Sequence, residues 1–231
     1  MPIHSIIIPT LTKTDTHFMV LMEAIGSIQD NSHDYELIIV DDGSPIDIGD
    51  VRFECDFYLR HKTNKGIAVS WNDGIRLAHG KYITIVNDDI TVEKGWLDKL
   101  RVALEDDDDN WVAAPGVRGK ENGTGIVQDF QWFPGYCFMV EKAFFDTYGL
   151  FDERFSPYNF EDTDMWTRVL KEGKKLVRNY STTITHREGH VLHTLDYDII
   201  NKQNHEKFIE KWGFDPIPVF YNNKPFDFTK L

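Results

Sequence analysis

The stretch KYITIVNDD, residues 81–89, combines a buried strand with a cluster of acidic side chains. Its residues 82–86 are nearly all β-branched or aromatic, which is typical of a β-strand. The strand runs directly into Asn87, Asp88 and Asp89. Two adjacent carboxylates at the end of a buried strand are electrostatically costly unless a positive group lies against them, and a hard divalent cation is such a group. A polar turn is the second interpretation, because Asn and Asp also favour turns.

Short apolar strands alternate with helices through the first half of the sequence. We predict strands at residues 5–9, 36–40, 56–60, 81–86 and 111–115, and helices at residues 16–29, 66–78 and 95–105. This alternation predicts an α/β fold with a mostly parallel, doubly wound sheet and helices on both faces. Ligands of such sheets bind beyond the carboxyl ends of the strands. We therefore expect the polar strand ends at Thr10, Asp41, Asp42 and residues 87–89 to share one rim.

The second half of the sequence is more aromatic and less regular. We predict a loop leading into a strand at residues 131–140, a short helix at 141–148, an aromatic loop at 149–160 and a helix at 161–172. Short strands are expected at residues 175–177 and 182–185, a closing helix at 196–212, and a tail without periodicity after residue 213. Because the sequence has no Ser/Gly-rich linker and no internal repeat, it is expected to form one domain over residues 1–231.

The composition narrows the classes of partner. The 231 residues carry a formal net charge of −13, which disfavours binding to nucleic acids and to anionic membranes. No apolar stretch approaches the ~20 residues that a membrane-spanning helix needs. The first residues, MPIHSIIIPT, lack a basic leader, so a soluble cytoplasmic protein is expected.

A second acidic cluster lies in FSPYNFEDTDMWTR, residues 155–168. Glu161, Asp162 and Asp164 fall in the first turn of a predicted helix, where the helix dipole stabilises ionised carboxylates. A carboxylate held ionised in a cleft can act as a general base. Glu161 and Asp164 are three residues apart and share a face, whereas Asp162 points elsewhere. Helix capping together with an Asp164–Arg168 pair is the alternative interpretation.

His186 follows a predicted strand in THREGH, residues 185–190. The segment is not a zinc-protease motif, because Glu does not directly follow the first His. A neutral imidazole beside aspartates is suited to complete a metal shell, although a lone His is more often a satisfied surface or core residue. The sequence has no GxxxxGK[ST] and no GxGxxG after its first strand, so any nucleotide would be held by carboxylates and metal.

These motifs together resemble a family 2 glycosyltransferase of the inverting GT-A type. The resemblance covers roughly residues 3–193. The matching segments are IIIPT at 6–10, ELIIVDDGS at 36–44, NKGIAVSWNDGIRLAHGKYITIVNDDITVEKGWL at 64–97, GYCFMVEKAFFDTYGLFDERF at 135–155, EDTDMWTRVLKEGKKL at 161–176 and THREGH at 185–190. The resemblance implies a nucleotide-binding half at about 1–115, an acceptor-binding half at about 116–195 with its own smaller sheet, and a C-terminal helix and tail at 196–231.

The resemblance also implies roles for individual residues. NDD at residues 87–89 stands in place of a DXD motif, with Asn87 replacing its first acid. The donor is a nucleotide-diphosphate sugar, most commonly a UDP-sugar, with Mn²⁺ or Mg²⁺ as cofactor. The implied nucleotide contacts are Thr10, Asp41, Asp42, Asn72 and Asp88, and the implied metal ligands are Asp89 and His186. Asp162 is the implied general base, with Glu161 and Asp164 positioning the acceptor and its loop, and Gly135 and Tyr136 forming part of the acceptor wall.

Trp132 is a candidate to stack on the acceptor sugar, and a core position is equally open for it. Two other functions stay open at this point. A nucleotidyltransferase usually has a basic, Gly-rich loop after the first strand, and PTLTKT at residues 9–14 has one Lys and no Gly. A non-catalytic nucleotide-sugar or glycan-binding module would leave the acids of residues 161–164 without a purpose. The expected acceptor is a hydroxyl of a glycan or another molecule, and a nucleic acid acceptor is disfavoured by the charge.

Overall fold

A sheet flanked by helices is the framework of the computed structural model, which describes residues 2–119, 123–187, 196–222 and 224–231. The strands within these ranges are β1 His4–Thr10, β2 Tyr35–Asp41, β3 Phe57–Arg60, β4 Tyr82–Val86, β5 Ile90–Val92, β6 Asn110–Val117, β7 Ile126–Phe130, β8 Cys137–Glu141 and β9 Lys175–His186. The α-helices are α1 Asp15–Asn31, α2 Ile67–Leu77, α3 Trp96–Glu105, α4 Lys142–Tyr148, α5 Glu161–Lys171 and α6 Tyr197–Trp212. The predicted α/β fold is confirmed.

The strands form one sheet in the order β3-β2-β1-β4-β8-β6-β9-β5, with β7 pairing against β9. Strands β3, β2, β1 and β4 are parallel to one another, and β8 is antiparallel to both β4 and β6. The predicted smaller acceptor-side sheet is an extension of the main sheet. The strands of the second half hydrogen-bond directly to β4 through β8, so both halves share one continuous sheet.

Two packed cores cover the two faces of the sheet. Because side chains alternate along a strand, Ile6 and Ile8 of β1 enter one core and Ile7 enters the other. Helices α1 and α3 contribute to the first core, whereas α2, α4 and α5 contribute to the second. A third cluster is aromatic and joins α6 to the C-terminal tail through Phe208, Phe220 and Phe228. The tail is therefore packed against the domain over these residues.

The structure adds two strands that the sequence pattern did not predict, β5 and β7, and it joins the two strands predicted at 175–177 and 182–185 into β9. A register irregularity between Pro115 and Gly116 of β6 accommodates the middle of β9. Strand β5 begins one residue after Asp89 and pairs with the end of β9, where Ile90 faces His186. This pairing brings two distant parts of the chain to the rim of the sheet.

Candidate active site

The ends of β1, β2 and β4 meet at one edge of the sheet, as the parallel topology requires. The Thr10 hydroxyl donates a hydrogen bond of 2.6 Å to Oδ2 of Asp88, and it lies 2.9 Å from the hydroxyl of Thr12. The backbone N–H of Asp42 donates to the carbonyl oxygen of Thr10 at 2.8 Å. The structure thus brings together the polar strand ends that the sequence placed on one rim.

Asp41 is fully buried and its carboxylate is neutralised within the protein. Arg60 lies 2.9 Å from Oδ2, the Tyr58 hydroxyl donates to the same oxygen at 2.9 Å, and the Ser44 N–H donates to Oδ1 at 2.8 Å. A buried carboxylate with a charged partner and these hydrogen bonds is compensated for its lost hydration. Asp41 therefore links the end of β2 to Tyr58 and Arg60 of β3 and to Ser44.

The Asp42 carboxylate organises the loop at residues 61–66. It accepts hydrogen bonds from the backbone N–H groups of Lys65 and Gly66, at 2.8 and 2.9 Å, and its Oδ1 lies 2.7 Å from Nδ1 of His61. The other ring nitrogen of His61 lies 3.0 Å from Oδ2 of Asp73. Asp42 thus links β2 to the loop before α2, and its contact with a nucleotide stays a prediction.

The Asn72 side chain forms its hydrogen bonds with Phe151 and Glu153. Its amide nitrogen donates to the carbonyl oxygen of Phe151 at 3.0 Å and to Glu153 at 2.9 Å, while its amide oxygen accepts from the Phe151 N–H at 2.9 Å. Asn72 is buried and ties α2 to the loop after α4. A nucleotide contact by Asn72 would require some of these bonds to open, and this contact stays a prediction.

Asp89 and His186 lie side by side at the junction of β5 and β9. Nε2 of His186 is 3.2 Å from Oδ1 of Asp89, and the imidazole packs against the Tyr136 ring with centroids 4.7 Å apart. The N–H of Asn87 donates to the carbonyl oxygen of Tyr136 at 2.8 Å, which fixes Tyr136 beside the acidic motif. The two predicted metal ligands and one predicted acceptor residue therefore lie together.

The donor set at this junction fits a divalent cation. Within the described part of the chain, Oδ1 of Asp89 is buried and lacks a hydrogen-bond partner, and the His186 nitrogen that lies 3.2 Å from it is Nε2. The other ring nitrogen of His186, Nδ1, is also buried without a hydrogen-bond partner in the described ranges. An orphaned carboxylate oxygen and an imidazole nitrogen are ligands that Mn²⁺ accepts. No group of three His, Cys, Asp or Glu side chains suited to a metal occurs in the described ranges, and His190 and His193 lie outside them.

Asp162 is held at the start of α5 by hydrogen bonds from two sides. The Gly135 N–H donates to Oδ2 at 2.9 Å, and the Thr163 N–H and hydroxyl donate to Oδ1 at 2.5 and 3.0 Å. A Cβ atom at Gly135 would lie 2.8 Å from Cβ of Asp162, so the close approach requires glycine. Burial raises the pKa of the Asp162 carboxyl, against the opposing effect of these donors. A carboxylate with a raised pKa is a stronger base at neutral pH.

Glu161 is the buried neighbour of Asp162. Burial, followed by the nearby Asp162 charge, raises the pKa of the Glu161 carboxyl well above its ordinary range. In the described part of the chain its Oε2 atom has no hydrogen-bond partner. The preceding residues, Asn159 and Phe160, both have a φ of +73°, a left-handed conformation that is uncommon for residues with a side chain. Such strain persists where the surrounding structure enforces it, often at functional sites.

Asp164 lies apart from these two acids, in contact with the C-terminal helix. Lys211 is 2.6 Å from Oδ1 of Asp164, the Trp212 indole donates to the same oxygen at 2.8 Å, and Arg168 is 3.3 Å from Oδ2. The side chain is fully buried, so the structure gives Asp164 the ion-pair role that was the alternative interpretation of the sequence. The contacts of Asp164 with Lys211 and Trp212 connect α5 to α6.

The surface beside Asp162 contains Trp132, a predicted acceptor residue, and a residue that the sequence did not single out. The Trp132 indole donates to the Thr163 hydroxyl at 3.2 Å, and its ring packs against Tyr221 with centroids 4.6 Å apart. Tyr221 ends a π-helical turn at Ile217–Tyr221 in the C-terminal tail. The tail has no periodicity, so no sequence pattern pointed to Tyr221.

Comparison with known proteins gives the class of this chain. Residues 5–166 match the family model for glycosyl transferase family 2, and the chain belongs to this family. Membership of a family of glycosyl transferases disfavours the nucleotidyltransferase alternative. No helix in the described ranges combines the length and the apolar character that crossing a bilayer requires.

The relatives are bacterial glycosyltransferases. An uncharacterized glycosyltransferase of Rickettsia felis is 35% identical over 188 residues, which cover 73% of this chain and 30% of that protein. The glycosyltransferase GlyG of Streptococcus pneumoniae is 30% identical over 113 residues, covering 45% of this chain and 36% of that protein. The chain thus spans about a third of the length of these relatives.

A solved structure shows the fold. The crystal structure of GalNAc-T7 with UDP, GalNAc and Mn²⁺ superposes with a TM-score of 0.75 at 16% sequence identity, covering 100% of this chain and 52% of that one. The predicted GT-A fold is confirmed by this match.

Proposed function

We propose that this domain transfers a sugar from a nucleotide-diphosphate donor to a hydroxyl group of a glycan or another acceptor, with inversion at the anomeric carbon. A UDP-sugar is the favoured donor. The observation that carries the proposal is Asp162, a half-buried carboxylate of raised pKa that Gly135 and Thr163 hold beside an aromatic surface. The half of the domain at about residues 1–115 would bind the donor nucleotide, and the half at about residues 116–195 would bind the acceptor.

The proposed donor site lies at the rim of the sheet. The Thr10–Asp88 pair and the neighbouring backbone are available to contact the ribose or a metal-bound water, with Asp41 and Asp42 holding the loops around them. Asp89 and His186 would hold a divalent cation, Mn²⁺ or Mg²⁺. When bound, the cation would neutralise the charge that develops on the diphosphate as it leaves.

Asp162 accepts the proton of the acceptor hydroxyl in the proposed reaction. The Gly135 N–H and the two Thr163 donors fix the orientation of its carboxylate, so the oxygen that receives the proton does not have to reorganise. The acceptor oxygen then attacks the anomeric carbon from the face opposite the leaving diphosphate. A single displacement inverts the configuration at that carbon. Glu161, whose raised pKa favours its neutral form, adds little negative charge beside the base.

Donor binding is tested by thermal shift with UDP-, GDP- and dTDP-sugars, each with and without Mn²⁺. A ligand that binds only the folded state must raise the midpoint of unfolding. We expect a UDP-sugar to raise it, and to raise it more when Mn²⁺ is present. In Asp89→Ala the additional shift with Mn²⁺ should disappear. The metal role of Asp89 is wrong if this variant binds UDP with Mn²⁺ as tightly as the parent.

The base is tested by Asp162→Asn. We expect this variant to keep its thermal shift with the UDP-sugar and to lose transfer by about 100-fold or more, the usual contribution of a general base. The exposed Asp198→Asn serves as the control and should transfer at the parental rate. Near-normal transfer by Asp162→Asn would remove Asp162 from the mechanism. Release of pyrophosphate from a nucleoside triphosphate would instead revive nucleotidyl transfer.

A further inference from the structure

The C-terminal tail returns to the candidate active site at Tyr221. This residue lies outside residues 5–166, which match the family model, so the family resemblance gives it no role. The preceding residues Val219 and Phe220 are buried in the aromatic cluster that also contains Phe208 of α6. The turn is therefore anchored on its inner side, and Tyr221 is placed by packing rather than by a free chain end.

Tyr221 keeps much of its surface open to solvent. Its exposed fraction is 48%, although its ring packs against Trp132 at 4.6 Å between centroids with an interplanar angle of 44°. Burial of an aromatic ring is strongly favourable, so a half-exposed ring on an anchored turn is available to a ligand. The adjacent ring pair of Tyr158 and Tyr197, with centroids 6.0 Å apart, extends the aromatic character of this region.

The aromatic pair is connected to the proposed base through Thr163. The Trp132 indole donates to the Thr163 hydroxyl at 3.2 Å, and that hydroxyl donates to Oδ1 of Asp162 at 3.0 Å. Burial of the Tyr221 phenol, followed by the Asp162 charge, raises the pKa of this group, against the opposing effect of a hydrogen bond with Thr163, so Tyr221 lies beside both residues and stays protonated. A ligand bound against the Trp132 and Tyr221 rings would therefore have its hydroxyl groups near Asp162.

We propose that Tyr221 is an acceptor-positioning residue, and that Tyr221 and Trp132 together bind the face of a neutral pyranose ring at the end of a glycan acceptor. The inference rests on the proposed function and specifies its acceptor. The C–H groups on one face of a pyranose carry partial positive charge, which matches the negative face of an aromatic ring. The Asp162 carboxylate, which the Thr163 hydroxyl joins to Trp132, and the net charge of −13 disfavour a phosphorylated acceptor here.

The proposal is tested by ligand-observed NMR with the full chain and the methyl pyranosides of glucose, galactose and N-acetylglucosamine. Glycerol and glucose 6-phosphate are the comparison probes. We expect at least one methyl pyranoside to bind the parent more tightly than either comparison probe. Tyr221→Ala should weaken this binding about tenfold, whereas Tyr221→Phe, which keeps the ring, should stay within about twofold of the parent. In transfer assays the acceptor KM should rise in Tyr221→Ala while the donor KM is unchanged.

Two further variants control for the loss of an exposed ring elsewhere and for the loss of the aromatic face at residue 221. Phe53→Ala removes a ring that is 73% exposed and lies in another part of the chain, so it should bind the sugars like the parent. Tyr221→Leu keeps an apolar side chain without the aromatic face, and should lose affinity like Tyr221→Ala even if the alanine variant folds poorly. Equal affinity of the parent and Tyr221→Leu for the methyl pyranosides would overturn the proposal, as would binding of none of them by the parent. A failure of the proposed function would show separately, as no thermal shift of the parent with any nucleotide sugar.

Discussion

Gly135 shows how one missing side chain shapes the candidate site. An added Cβ would lie 2.8 Å from Cβ and 3.1 Å from Oδ2 of Asp162, so Gly135→Ala must displace the carboxylate. A shift of about 1 Å at a reacting group can lower a rate by about 100-fold. We expect Gly135→Ala to lose transfer by about 10- to 100-fold and to keep its thermal shift with the UDP-sugar, as measured in the same assays.

The matched control for this prediction is Gly26→Ala. Gly26 lies within α1, and its added Cβ would meet no atom within 4 Å. Alanine in a helix is favoured over glycine, so this variant should be more stable by about 0.5–1 kcal/mol and should transfer at the parental rate. If Gly135→Ala transfers as fast as Gly26→Ala, the close contact with Asp162 has no role in the reaction.

At the scale of single residues, the sequence predicted positions better than it predicted contacts. The meeting of Thr10 with Asp88 follows from the parallel sheet, because strand ends share an edge. The partners of Asn72 do not follow from any local pattern, since they lie about 80 positions further along the chain at Phe151. Tyr221 could not be predicted for the same reason. Its position depends on the packing of a tail that has no repeat.

The contact between helices α5 and α6 depends on Asp164. This fully buried carboxylate lies 2.6 Å from Lys211 of α6 and 3.3 Å from Arg168. Removing one partner of a buried ion pair leaves charge without compensation, which costs about 3 kcal/mol. We expect Asp164→Asn to lower the free energy of unfolding by about that amount in urea titrations, while the thermal shift with the UDP-sugar is retained.

A surface ion pair provides the comparison for Asp164. Asp227 is exposed and lies 2.8 Å from Lys230, so Asp227→Asn should leave the urea midpoint unchanged. The structural role of Asp164 is wrong if Asp164→Asn lowers transfer at parental stability. That result would instead return Asp164 to the catalytic group in which the sequence placed it.

At the scale of elements, periodicity predicted the long helices and the buried strands, and it failed for strands that depend on partners. Strand β5 has three residues, too few for a pattern, and it exists because β9 pairs with it beside His186. Strand β9 was predicted as two pieces, because residues 178–181 are polar or aromatic. Pairing with β6 and β7 makes it continuous.

For the whole molecule, the formal charge of −13 means that removing an acidic group that has no cationic partner relieves some repulsion within the folded chain. Glu161 differs from the other acids in its surroundings, because burial and the Asp162 charge raise the pKa of its carboxyl above the ordinary value of 4.5. The folded state therefore binds this proton more tightly than the unfolded state. By linkage, the Glu161 contribution lowers the stability of the fold progressively as the pH rises above about 4.5.

Glu161→Gln tests this linkage through the pH dependence of folding. The variant has no proton to lose at this position, so its free energy of unfolding should fall less steeply than that of the parent as the pH rises from about 4.5 to 8. The stability gained over the parent should be small at the acidic end and largest at neutral pH, as measured by urea unfolding at each pH. Glu206→Gln, at an exposed position, removes the same formal charge and controls for the relief of general repulsion. Parallel pH curves for Glu161→Gln and Glu206→Gln would mean that Glu161 titrates as an ordinary surface acid, and the electrostatic coupling of Glu161 to Asp162 would then be wrong.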